Sequence, residues 1–131
     1  MKTEDSIVLV VEKTDTGFSA FSVDYPIFTT ASSVVELMKN AHEAVALYFE
    51  EEQATISPEN VKFEIDFQQF FKYYKVLNAK FLAEKIGMNP SLLSQYVQGH
   101  KKPSHKQTEK ILSGIHQIGR ELSDINLLAV E

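Results

Sequence analysis

Cysteine is absent from the 131 residues. That excludes a disulfide framework and a thiolate zinc site, and it fits a reducing compartment. Histidines are few, four in all, and their positions give no metal-ligand spacing. Long apolar runs are missing too. The longest near the start, Ile7 to Val11, spans five residues, too short for a signal-peptide core or a membrane span. A cytoplasmic location with no membrane partner is the expectation. Positive charge is scarce in one half only. Residues 1–66 hold four lysines against thirteen acids, whereas residues 67–131 hold nine Lys and Arg against five acids. The formal net charge of -5 hides this division, and an acidic half joined to a basic half points to two different partners. With 44% hydrophobic residues, the chain can build one medium core or two small ones.

The stretch from Asn78 to Gln98 reads as two short helices joined by a tight turn. Leu82, Ile86, Leu93 and Tyr96 recur at inward-facing helical spacing, with Met88 in the turn, so both helices share one small core. Ala83 is small where the helices cross. Gly87 stands where the first helix must stop with a positive φ. Asn89 is placed to cap the second helix, and Pro90 falls at its first position, where a missing N–H costs nothing. With Leu92, Leu93 and Tyr96 committed to packing, the outward residues are Asn89, Ser91, Ser94, Gln95 and Gln98. Short and amide side chains of this kind suit base edges, since Asn and Gln pair two-pronged with adenine in a major groove. Lys72, Lys75, Lys80, Lys85, Lys101, Lys102, Lys106 and Lys110 bracket the motif, opposed locally by Glu84 and Glu109. Such a rim suits phosphates. The DNA-binding candidates are therefore Asn89, Ser91, Ser94, Gln95, Gln98, Lys101, Lys102 and Lys106. A plain helical hairpin with a polar outer face is the competing reading, and the charge division weighs against it.

Upstream, Ile7 to Val11 is a β-branched run of strand length, followed by the turn residues Thr14-Asp15-Thr16-Gly17. Being apolar on both faces, it is expected at the centre of a sheet. The return strand covers Phe18 to Val23, with Phe21, Val23 and Tyr25 on one side and Phe18 and Ala20 on the other, until Pro26 ends it. Ile27 to Thr30 is a candidate third strand. Ser33 and Glu36 have the spacing of a capping box, and Val34, Leu37, Met38, Ala41, Val45 and Tyr48 follow at helical intervals to about Phe49. Glu50, Glu51 and Glu52 stand at the C-terminal end of that helix, against its dipole. A solvated helix end is the plain explanation, and a basic protein partner the sharper one. Val61, Phe63 and Ile65 then alternate with Lys62, Glu64 and Asp66 as a half-buried strand. The order is β-β-β-α-β.

Asp66 is placed to cap a helix carrying Phe67, Phe70, Phe71 and Tyr74, which sets the boundary near residue 66. The expected organisation is α+β, with a mixed domain over 1–66 and an all-α domain over 67–131. Gly99-His100-Lys101-Lys102-Pro103 is a loop. Ser104 and Gln107 form a second capping box, which opens a long helix with Ile111, Leu112, Ile115, Ile118 and Leu122 on its apolar stripe. Continued through Ile125, the stripe alternates spacings of three and four as a coiled-coil seam does, and Leu127, Leu128 and Val130 extend the apolar surface. One reader of this size covers little DNA, and such readers pair on two half-sites. A homodimer or higher homo-oligomer is expected.

Phe81 to Ser104, through Leu82-Ala83, Gly87, Asn89-Pro90-Ser91-Leu92-Leu93, Gly99 and Lys102-Pro103-Ser104, resembles the Xre-type helix-turn-helix of phage repressors and many antitoxins. The front half, from Val11-Glu12-Lys13 through Gly17 to Asn40-Ala41-His42-Glu43-Ala44-Val45-Ala46-Leu47-Tyr48, resembles the HicB antitoxin family. That resemblance implies a partial ribonuclease-H-like N-terminal domain that occludes a small basic ribonuclease toxin, HicA. It also implies a C-terminal domain that represses the operon by binding operator DNA. There is one departure. The family often carries a Gly-Cys-x-Thr-x-Gly stretch between the second strand and the helix, where this chain has Tyr25-Pro26-Ile27-Phe28-Thr29-Thr30-Ala31. A stand-alone helix-turn-helix repressor without a toxin partner is the alternative.

A ribonuclease-H-like sheet raises metal-dependent nuclease chemistry, which needs several carboxylates gathered at one end of the sheet. Glu12, Asp24, Glu64 and Asp66 lie on strands or at their ends, but Glu64 and Asp66 fall on the polar face of an alternating strand, where solvation explains them. His42 has no Ser or Cys nucleophile pattern beside it. No catalytic residue, cofactor or metal site is expected.

Overall fold

The computed structural model describes residues 6–128. The chain divides into two compact units, one ending at Tyr73 and the other beginning at Tyr74. The first holds strands β1 (Ile7–Lys13), β2 (Phe18–Ser22), β3 (Phe28–Ala31) and β4 (Val61–Ile65), with helix α1 (Val34–Glu51) before β4 and helix α2 (Phe67–Tyr73) after it. The second holds α3 (Ala79–Ile86), α4 (Pro90–Val97) and α5 (His105–Ser123). The class is α+β, with a mixed four-stranded sheet in the order β3-β2-β1-β4. Val130, counted above in the apolar tail, lies outside the described residues.

β1 lies between β2 and β4, the place that apolar residues on both of its faces require. Its antiparallel pairing sets Val10 against Phe21 and Val11 against Ala20, and its parallel pairing sets Ile7 against Val61 and Leu9 against Phe63. The connection from β3 to β4 crosses the sheet, and α1 supplies it. Ile7, Leu9 and Ala20 from the sheet meet Leu37, Ala41, Val45 and Phe49 from α1, with Ile27 and Val61 completing the core. α1 begins where the sequence places it, since Ser33 Oγ accepts from the Glu36 amide at 3.2 Å. Glu36 itself turns to the Ser32 hydroxyl, 3.1 Å away.

Two expectations are corrected. The second strand stops at Ser22, because Ser22 Oγ accepts from the amides of Asp24 (3.2 Å) and Tyr25 (3.1 Å) and turns the chain there. Val23 is left exposed, while Tyr25 swings to the α1 side, with ring centroids 5.7 Å from Tyr48 and 5.1 Å from Phe49. Phe21, Val23 and Tyr25 therefore do not share one side. The boundary between units also falls after Tyr73, not near residue 66. Asp66 does cap α2, accepting from the Gln69 amide at 3.0 Å, but its own amide donates to the Val11 carbonyl at 3.1 Å and extends the β-ladder. Gln69 then clamps the end of β1. Its Oε1 accepts from the Lys13 amide at 2.9 Å and its Nε2 donates to the Lys13 carbonyl at 2.6 Å. Phe67 and Phe71 are buried, and the Lys13 ammonium sits 4.9 Å from the Tyr73 ring centroid. The aromatic helix completes the first unit.

Candidate nucleic-acid interface

α3 and α4 are eight residues each, and backbone geometry holds the turn between them. Gly87 takes φ 69°, ψ 33°, the left-handed conformation that glycine adopts without a Cβ clash. The Met88 amide donates to Ala83 O at 2.9 Å and the Gly87 amide to Glu84 O at 3.3 Å, the paired bonds of a Schellman closure. Asn89 Oδ1 accepts from the Ser91 amide at 2.8 Å, and Pro90 follows at the first helical position. Met88, Leu82, Ala83, Leu93, Tyr96 and Ile111 are buried. This small core settles which face of α4 turns out.

Ser91, Gln95 and Gln98 are exposed on that face. Asn89 is exposed as well, but its carbonyl oxygen is committed to the cap, so its amide NH₂ is what remains for a ligand. Ser94 is half-buried, set back from the surface that Gln95 and Gln98 define.

The basic loop beyond α4 is tied to the same helix. Gly99 takes φ 78°. The Gly99 amide donates to Tyr96 O at 3.2 Å and the His100 amide to Gln95 O at 2.9 Å, a second Schellman closure. The Lys101 amide shares the Gln95 carbonyl at 3.3 Å. Lys101 thus starts from the backbone of the central outward residue. The sequence of 99–103 reads only as a loop, and a glycine directly after an amphipathic helix is the signal in it for this anchoring. Ser104 Oγ accepts from the Gln107 amide at 3.1 Å and starts α5. Lys106 lies exposed in the first turn of α5, which contains no acid. A cation at the positive end of a helix dipole is unfavourable for the free protein and favourable once an anion arrives.

Not all of the lysine rim is available. Lys85 pairs with Glu121 at 3.2 Å, and Lys110 Nζ reaches the Gly87 carbonyl at 3.5 Å, so these two tie α5 to α3 and its turn. Lys72 belongs to α2 in the first unit. Lys80, Lys101, Lys102 and Lys106 are exposed. Phe81, to which helical spacing assigns no role, is 63% exposed on α3, and its amide is capped by Asn78 Oδ1 at 3.1 Å.

A UPF0150 protein from Archaeoglobus fulgidus is 40% identical to this chain over 47 residues, which are 36% of the chain and 71% of that protein. The chain belongs to the UPF0150 family. UPF0150 proteins are related to the HicB-like antitoxins. No family model matches the sequence, and no solved structure matches it.

In this UPF0150 chain the carboxylates weighed for nuclease chemistry have separate local settings. Asp66 caps α2, Glu12 lies half-buried on β1, and Asp24 sits exposed in the turn after β2. His42 packs edge-on against Phe63, with ring centroids 5.7 Å apart. Among the described residues no group of three or more His, Asp or Glu is placed to hold a metal ion, and no helix is long and apolar enough to cross a membrane.

Proposed function

We propose that this UPF0150 chain is a HicB-like antitoxin of a type II toxin–antitoxin system, non-enzymatic and cytoplasmic. Its second unit represses its own operon by placing α4 in the major groove of operator DNA as an Xre-type helix-turn-helix. Ser91, Gln95 and Gln98 face the base edges, with the Asn89 amide at the groove margin. Lys101, Lys102 and Lys106 meet phosphates. The observation that carries this reading is the anchoring of the basic loop to the Gln95 carbonyl, which couples phosphate contact to the register of the base-reading side chain. The first unit, a partial ribonuclease-H-like sheet with a strongly acidic composition, binds and occludes a small basic HicA-like mRNA interferase. Charge complementarity of that kind chiefly speeds encounter.

The experiment is selection of the full chain on a pool of random duplexes, paired with co-expression beside a small basic ribonuclease encoded next to it. An enriched, two-fold-symmetric site together with a protected, co-purifying toxin is the expected result. An enriched site without any toxin binding would instead favour the stand-alone repressor, the reading that Tyr25 to Ala31 in place of the Gly-Cys-x-Thr-x-Gly stretch speaks for. Absence of any enriched sequence would sink the DNA-binding role.

A further inference from the structure

The loop after α4 carries a titratable side chain in the midst of its lysines. His100 is exposed, and its amide donates to Gln95 O at 2.9 Å, a shorter bond than the one Lys101 makes to the same carbonyl at 3.3 Å. Its backbone is therefore fixed beside the outward face of α4. The charges around it are nearly all of one sign. α4 contributes none, since Pro90–Val97 contains no acid and no base, and its phenol, Tyr96, is buried. The loop contributes Lys101 and Lys102, and the first two turns of α5 contribute His105, Lys106, Glu109 and Lys110. Glu109 is the one acid between residues 85 and 120, and it lies 3.0 Å from His105 Nε2. Lys110 reaches back to the Gly87 carbonyl. His100 thus stands among lysines, with the carboxylate of that stretch already engaged.

We propose that His100 is a proton-linked phosphate contact, so that DNA binding by α4 and its loop takes up a proton from solvent and tightens as the pH falls. The proposal rests on the reading of this surface as a DNA interface, and it adds a regulating group to it. Imidazole changes charge between about pH 5 and 8, whereas lysine ammonium groups stay charged throughout that range. An opposite charge close to a titratable group favours its charged form. A phosphate oxygen beside the His100 ring therefore raises the ring's affinity for a proton, and by reciprocity the protonated ring raises the affinity for the phosphate by the same factor. The neutral ring offers an N–H donor without the charge. Lys101, Lys102 and Lys106 give such an interface its salt dependence; a pH dependence near neutrality needs a group that titrates there. The other histidines are placed differently. His105 already has a carboxylate partner, His42 packs against Phe63 in the first unit, and His116 lies about 16 Å beyond His105 along α5.

Fluorescence anisotropy of the full chain against a random-sequence duplex, at low and constant ionic strength, tests this without any operator, because phosphate contacts carry no sequence information. Between about pH 8 and about pH 6 the wild-type affinity should rise about fivefold, the change expected when a phosphate raises one imidazole pKa by about one. His100→Gln should match the wild type at the alkaline end and lose most of the rise. His100→Arg, charged at every pH, should bind at the alkaline end about as tightly as the wild type does at the acid end, with a flat profile. His105→Gln should keep the rise. A flat wild-type profile in a protein that binds the duplex overturns the proposal and leaves the interface reading standing, and so does a rise that survives in His100→Gln. A rise lost in His105→Gln would assign the proton to the wrong residue and overturn it too. Failure to bind the duplex at any pH overturns the proposal and the interface reading together.

Discussion

Three helices of this protein end on the same backbone closure, and the two units furnish it differently. In the second unit α3 and α4 close over Gly87 (φ 69°) and Gly99 (φ 78°). In the first unit the corresponding residue after α1 is Gln53 at φ 57°. Its amide donates to Glu50 O at 3.0 Å and the Ala54 amide to Phe49 O at 2.7 Å. A side chain in the left-handed region costs about 1–2 kcal/mol that glycine avoids, and Glu50, Glu51 and Glu52 add charge against the dipole at the same end. The units also differ in what holds them. The first is built on strand pairs far apart in sequence, such as Ile7 with Val61, together with the Gln69 clamp on Lys13. The second is built on short-range turns. When backbone amides satisfy the C-terminal ends of α3 and α4, the side chains around them stay outside the scaffold, and Gln95, Gln98 and Lys101 remain exposed.

The largest expected effect tests whether the two cores are separate. Leu93 has no exposed surface, so Leu93→Ala should cost the second unit about 2–5 kcal/mol. Hydrogen exchange should show faster opening of amides in α3, α4 and α5 while β1 keeps its protection; equal losses in β1 would merge the units into one. Gly87→Ala should destabilise the second unit by about 1–2 kcal/mol in a denaturant titration, because alanine must then hold the left-handed conformation. Gln53→Gly sharpens the comparison by reversing the sign. It should stabilise the first unit by about 1 kcal/mol through relief of the same strain, and a loss of stability would mean that the Gln53 side chain contributes more than its backbone costs. Smallest in stability is the joint change of Glu50, Glu51 and Glu52 to glutamine, within about 0.5 kcal/mol. Its effect should appear instead as slower, less salt-sensitive association with a basic toxin in stopped-flow mixing.

Much of this was legible from the chain alone, for identifiable reasons. The central place of β1 follows from apolar residues on both of its faces, and the α3–α4 turn follows from Gly87, Asn89 and Pro90, all local signals. The boundary was not legible in the same way. Asp66 and the aromatic stripe announce a helix, but a helix signal does not say which core receives it, and the Gln69 clamp joins residues 56 apart in sequence. Strand alternation carried past Ser22 misplaces Tyr25, because the Ser22 hydroxyl turns the chain. In the candidate interface, the outward phase of Ser91, Gln95 and Gln98 was readable from helical spacing. The pairing of Lys85 with Glu121 and the bond from Lys110 to the Gly87 carbonyl depend on where α5 packs.

The most direct test of the central claim, that α4 reads bases while the loop anchored at Gln95 grips phosphates, is a salt series of binding affinities. The full chain, Gln95→Ala and Lys101→Ala would each be titrated against the selected duplex and a scrambled one. Gln95→Ala should weaken the selected duplex by about 1–3 kcal/mol, leave the scrambled duplex unchanged and keep the salt slope. Lys101→Ala should weaken both duplexes alike and reduce the slope by about one. Equal losses on both duplexes for Gln95→Ala, or a loss confined to the selected duplex for Lys101→Ala, would contradict the assignment.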